Sequence, residues 1–388
     1  MRTIEEVLYK SFYTPDANIA NNNLRIINLP HYYNFNEMLS CFLNLYKDQN
    51  ITSNLITVIT TTKYNYRVAV EKGFRTLYLY DIIDFTDKSY YLKTNIQGAY
   101  VILDSCDSIT SDLLYRILKI LDPYAIFYAF YDKFIPRRYN SVEDSYFISN
   151  NITYNLDKIK GDKGEINTYI NTMLNNIRLK NNIEEILEKE SPFIKKTSIN
   201  TFDMSILDLS RVIITPNVTT IRNLNKKIRN FLRMNVDDPL QPKPNEYMIS
   251  LGPSIALDLT NKKTINIPIG TRIQVLSSTP LNDNAGYAIR FNYENIDYSI
   301  SLCEVNVSYR FLDYMINGSS DYTHAPGTFT YYFAYVIGDF YSLSERYNEG
   351  IVLYDHTLSG DRKELYTSIL PIKHNLEILY NMKSTIIY

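Results

Sequence analysis

The chain has 388 residues, 45% hydrophobic and 21% charged, which places it with globular proteins large enough for two or three domains and excludes a mainly disordered chain. Forty basic and 42 acidic side chains leave a net charge of -2, so no global positive field marks a nucleic-acid partner, while a local basic groove stays open. Cys41, Cys106 and Cys303 form no CxxC pair and the four histidines have no ligand spacing, which argues against disulfides, structural zinc or any other bound metal.

The opening MRTIEEVLYKSF has acids and no apolar core of a signal peptide, and no uncharged apolar run of about 18 residues follows. A soluble, intracellular protein without a membrane partner is expected. The chain holds 36 Tyr, no Trp and 12 Gly. Its Ile, Asn, Lys and Tyr come from A/T-rich codons, as in many viral or plasmid genomes, and few glycines are available for phosphate loops.

From residue 23 to about 130, apolar runs alternate with helical spacing. Strands are expected at 24–27, 55–60, 76–80, 100–104 and 125–130, with helices near 35–47, 64–72 and 109–121. That alternation predicts a largely parallel α/β sheet. A polar stretch with the helical pattern EINTYINTMLNNIRLKNNIEEILEKE follows. A second α/β unit begins at Arg211, where VIIT reads as a strand and PNVTTIRNLNKKIRNFLRM as a helix opening on a Thr-Pro-Asn turn. Between about 245 and 325, short alternating runs with turn residues predict an inserted β-barrel. A strand at 350–354 and a helix from about Arg362 return to α/β.

In order and separation these pieces resemble the motor of a superfamily 1 helicase of the RecD type. The resemblance implies two RecA-like domains with parallel sheets, the second carrying a small SH3-like β insertion. Domain 1 would span 1–150, a helical connector 151–200 and domain 2 201–388, with the insertion near 245–325. The family's phosphate loop, G-P-x-G-x-G-K-T, falls on Leu29, Pro30, His31, Tyr32, Tyr33, Asn34, Phe35 and Asn36. Only the proline is kept. Such a loop needs glycines so that backbone N–H groups close on phosphates, and a lysine to neutralise them. Here Leu29, Tyr32 and Asn34 replace glycines and Phe35 the lysine.

Other nucleotide motifs depart in the same way. The acidic pair that holds magnesium and activates water is Asp104-Ser105, the γ-phosphate sensor glutamine is Phe134, and Pro371 stands at the arginine finger. Positions that build strands, helices and turns keep their character. The family's nucleic-acid contacts map onto Thr61 and Thr62, with Lys63 and Arg67 nearby, and onto Thr215, Asn217, Asn225 and Arg229, with Arg222 as a neighbouring cation. Thr62 and the Thr-Pro-Asn turn also read as plain helix-start residues.

The resemblance therefore implies a catalytically inactive, helicase-like protein without catalytic residues or a cofactor. It would serve as a nucleic-acid-binding or scaffold subunit of a viral or mobile-element replication or transcription assembly, with protein partners and single-stranded DNA or RNA as candidate ligands. Two alternatives stand beside it: a protein-only interaction module, and an NTPase or helicase whose site a partner completes.

Overall fold

The apolar run LRIIN forms strand β1, Leu24–Asn28, with all but Arg25 buried. In the computed structural model the described residues are 23–30, 35–47, 51–85, 90–92, 95–109, 111–135, 153–155, 168–179, 182–189, 191, 194–198, 208–234, 241–250, 254–268, 270–280, 287–293, 296–302, 331–355 and 361–381. They fall into two units, one reaching to Asn155 and one beginning at Thr168.

In the first unit β1 is followed by α1 (Phe35–Lys47), β2 (Ile56–Thr60), α2 (Lys63–Glu71), β3 (Arg75–Tyr78), β4 (Ile83–Phe85) and β5 (Tyr90–Leu92). Then come β6 (Tyr100–Leu103), α3 (Ser111–Lys119), β7 (Ile126–Tyr131) and β8 (Thr153–Asn155). Six strands pair in parallel in the order β3-β2-β6-β7-β1-β8. Strand β7 therefore separates the strand before the loop at 29–36 from the strand that leads into Asp104, as in a RecA-like sheet. β4 and β5 form a separate antiparallel hairpin that the sequence reading lacked.

Strand β2 is buried along its whole length, the pattern of a strand covered on both faces. On α1, Phe35, Met38, Leu39, Phe42 and Tyr46 recur at helical spacing and pack into one core with Ile27, Val58, Ile102, Tyr128 and Phe130. Phe42 meets the rings of Tyr128 and Phe130 edge-on, at centroid distances of 5.1 and 5.9 Å.

The second unit opens with α4 (Thr168–Leu179), α5 (Ile183–Glu188), β9 (Ile194–Ser198), β10 (Val212–Thr215) and α6 (Val218–Phe231). An antiparallel section follows: β11 (Tyr247–Ser250), β12 (Ser254–Asp258), β13 (Thr264–Ile267), β14 (Arg272–Pro280), β15 (Tyr287–Tyr293), β16 (Ile296–Leu302) and β17 (Tyr331–Phe333). The chain then returns through β18 (Val336–Gly338), α7 (Asp339–Ser342), β19 (Tyr347–Asp355), α8 (Arg362–Ile369) and β20 (Ile372–Asn381). The parallel sheet has the order β18-β10-β19-β20-β9 and the antiparallel sheet the order β13-β12-β16-β15-β14-β11-β17.

The antiparallel sheet alternates as its sequence does. Ile273 and Val275 on β14 face a core with Met248, Ile289, Phe291 and Phe333, while Gln274 and Leu276 between and beyond them are exposed. Where a small β-barrel insertion near 245–325 was expected, the described residues between Tyr247 and Phe333 form a seven-stranded antiparallel sheet.

The stretch expected as a helical connector, 151–200, does more than connect. β8 pairs with β1 in the first sheet, and β9 pairs with β20 in the second. Helix α4 buries Ile170, Met173, Leu174 and Ile177, and Arg178 donates to the Tyr366 hydroxyl on α8 at 3.2 Å. The apolar stripe on α4 needs that cover, which a free connector would not supply.

Candidate nucleotide cleft and nucleic-acid contacts

In an open parallel sheet, ligands gather at the carboxyl ends of the strands, so the turns after β1, β6 and β7 position any nucleotide site of the first unit. After β1, Leu29 N donates to Tyr131 O at 2.7 Å, and Leu29 and Pro30 are buried. His31, Tyr32, Tyr33 and Asn34 lie outside the described residues. Phe35, at the lysine position, opens α1 and is only 8% exposed, packed with Leu29, Met38 and Leu39 in the core. Asn36 is exposed.

At the end of β6, Asp104 is buried and cross-links two neighbouring turns. Its Oδ1 accepts from both Thr61 N and Thr61 Oγ1 at 2.9 Å, and its Oδ2 accepts from Asn65 Nδ2 at 2.8 Å. Asp107 accepts from the Ser105 hydroxyl and, through Oδ2, from Asp132 N at 2.8 Å. Asp132 in turn accepts from Phe134 N at 2.9 Å, and Asn28 Oδ1 accepts from Lys133 N at 3.1 Å. The carboxylates at this strand end hold loop N–H groups, an arrangement that fixes backbone shape. Phe134, at the sensor position, is buried. Among the described residues, no three His, Cys, Asp or Glu are grouped to hold a metal ion, and no helix is long and apolar enough to cross a membrane.

The expected nucleic-acid contacts gather at two helix starts. Thr62 caps α2, its hydroxyl accepting from Asn65 N at 3.2 Å, and Thr61 is bound to Asp104. Lys63, expected to offer charge to a bound strand, is only 7% exposed, whereas Arg67 one turn later is exposed. Lys63 opens α2 directly after the turn that Asp104 draws inward, so its stem is covered. In the second unit Thr215 ends β10 and is buried, Asn217 caps α6 by accepting from Thr220 N at 2.9 Å, and Arg222 is exposed.

Asn225 and Arg229, matched to later family positions, serve the fold. Asn225 Nδ2 donates to Val336 O at 2.8 Å, and its Oδ1 accepts from Tyr335 N and Val336 N, both at 3.0 Å. Arg229 forms a two-armed pair with Glu246, Nε to Oε1 at 2.6 Å and Nη2 to Oε2 at 3.1 Å, and lies 3.6 Å over the Phe333 ring. Glu246 is fully buried. Close by, burial pushes the Tyr335 phenol above its usual range, and the Glu246 carboxylate adds to that. The sequence reading missed Asn65 and Glu246. A signal for Arg229 was present, since it falls on the apolar side of α6 with Ile221, Leu224 and Ile228.

Pro371, at the arginine-finger position, lies between α8 and β20, and its carbonyl accepts from Tyr347 N at 2.8 Å. A proline before the first strand residue costs no ladder hydrogen bond.

No protein-family model matches the chain, and no curated protein matches it. Among solved structures it is similar to a Bacteroides Pif1 helicase in complex with ADP-AlF3 and single-stranded DNA, with 15% identity and a TM-score of 0.49 over 100% of this chain and 95% of that one. It is also similar to Pif1 helicase from Candida albicans, with 10% identity and a TM-score of 0.48 over 98% of this chain and 94% of that one. These structures are Pif1 helicases, where the sequence resemblance pointed to the RecD type.

Proposed function

We propose that this chain is a helicase-like protein that has lost nucleotide turnover and acts as a nucleic-acid-binding or scaffold subunit, with protein partners, in an intracellular assembly of a virus or mobile element. One observation carries the reading: Phe35, at the position of the phosphate-binding lysine, is packed into the hydrophobic core. A phenyl ring there supplies no charge to a triphosphate. Asp104 supports the same view, because both its oxygens are engaged in holding the Thr61 turn and Asn65. The RecD-like motif order stays part of this proposal.

The test is nucleotide binding and hydrolysis by the full chain. Calorimetry with ATP and magnesium should give no saturable heat, and a phosphate-release assay no turnover with or without single-stranded DNA. Micromolar affinity with magnesium-dependent turnover would overturn the proposal in favour of an NTPase with an unconventional site. A protein-only module is the second reading, favoured by the use of Thr62 and Asn217 as helix caps and by the burial of Lys63.

A further inference from the structure

Helix α6 divides sharply into two sides. Its inner side holds Ile221, Leu224 and Ile228 with the engaged Asn225 and Arg229, while Thr219, Arg222, Asn223, Lys226, Lys227 and Asn230 are exposed. At 3.6 residues per turn, the exposed set covers an arc of about 140° of the helix circumference. That side carries cations, amides and a hydroxyl, and no carboxylate. From Leu209 to Val236 the sequence has six Lys or Arg and no acid, in a protein whose net charge is -2. Lys226, Lys227 and Arg233 take part in none of the ion pairs among the described residues.

The end of the helix adds two features that folding alone disfavours. Met234 N donates to Arg229 O at 2.9 Å and Arg233 N to Asn230 O at 3.0 Å, the paired bonds of a Schellman turn. Residue 233 therefore has φ 56, a conformation usually given to glycine because a Cβ crowds the backbone there. Here it is an exposed arginine. Two residues earlier, Phe231 in the last helical position is 62% exposed.

We propose that the outer side and final turn of α6 form a binding surface for single-stranded nucleic acid, with Lys226, Lys227 and Arg233 on phosphates and Phe231 stacked on a base. The cations from Arg222 to Arg233 span about 16 Å along the helix, room for a short run of nucleotides. An acid-free cationic side fits a polyanion, and an open ring fits unpaired bases, whose faces a duplex keeps covered. The inference rests on the nucleic-acid-binding reading above, and it places the contact on the helix side and end, away from the cap at Asn217.

Fluorescence anisotropy of the full chain with labelled oligo-dT and oligo-U over a salt series tests it. Relevant variants are Arg233→Gly, Lys226→Ala with Lys227→Ala, and Phe231→Ala, with Lys47→Ala on α1 as a charge control. Each cation removed from α6 should lower the slope of log affinity against log salt by about 0.7. Phe231→Ala should weaken binding about tenfold and leave that slope unchanged. Arg233→Gly is the decisive variant: it should raise the melting temperature by about 2 °C while weakening binding. A purely structural arginine would not give those opposite signs.

If wild type binds either oligonucleotide and the α6 variants keep its affinity and slope, this surface is wrong and the broader reading stands. If wild type binds neither at low salt, both fall. Displacement of the oligonucleotide by poly-glutamate at equal charge concentration would overturn the assignment to single strands in favour of an acidic protein partner.

Discussion

Helices α2 and α6 start in the same way, each after a buried parallel strand and each with a side-chain oxygen receiving an N–H three residues on. What surrounds those starts differs. In the first unit the turn is drawn inward, because Asp104 accepts from Thr61 and Asn65 and Lys63 is covered. In the second unit the turn is closed by Asn217 accepting from Thr220 N, and a buried charge pair sits three turns further along, where Arg229 meets Glu246. A helix cap therefore carries no information about ligands by itself. The charges around it separate a locked turn from a surface open to a polyanion.

That contrast is sharpest where it is most destructive to test. Glu246→Ala leaves the Arg229 guanidinium buried without its counter-charge and should destabilise the second unit by about 3–5 kcal/mol. Hydrogen exchange followed by mass spectrometry should show the loss in α6, β11 and β14, with α1 and β1 unchanged. Asp104→Ala strands three donors in the first unit and should cost about 2–3 kcal/mol in denaturant unfolding. A stabilised Asp104→Ala protein would instead mark Asp104 as a ligand kept at the expense of stability, and the first turn would no longer count as a locked one.

The caps give a smaller and symmetrical effect. Thr62→Ala and Asn217→Ala should each lower stability by about 1 kcal/mol, and clearly unequal losses would break the likeness between the two helix starts. Smallest is a pH effect in the antiparallel sheet, where Asp258 accepts from Thr260 N at 2.7 Å and from Asn261 N at 3.0 Å. The Asn261 N–H holds this carboxyl below its usual range, against an opposing effect of burial. Its folded value lies below its unfolded one, so its contribution is present above about pH 4 and is lost as pH falls through the folded value. Melting curves of Asp258→Asn should lack that component of acid sensitivity.

The α/β alternation of the first unit was legible because its strands are apolar runs and its helices repeat apolar residues on one side; β1, β2, β6 and β7 lie within two residues of their expected bounds. Strand β9, IKKTS, was not legible, since a short sequence with two lysines has no strand signal until β20 lies beside it. Nor was the hairpin of β4 and β5. At the candidate site, the loop without glycine was plain in the sequence, and so was cap chemistry at Thr62 and Asn217. The bond from Asn65 to Asp104 joins residues 39 apart and Arg229 to Glu246 residues 17 apart. Contacts of that range depend on how elements pack, which local pattern does not encode. The same holds for Lys63, whose place at the opening of a helix gave no hint that its stem would be covered.

Asn225 has a further consequence for the life of this protein at high concentration. Among the described residues strand β18 is the last of its parallel sheet, and an uncovered last strand is a template on which a second chain can pair. The Asn225 amide takes up the N–H groups of Tyr335 and Val336 and the Val336 carbonyl, as a neighbouring strand would. One side chain thus closes that border against strand addition.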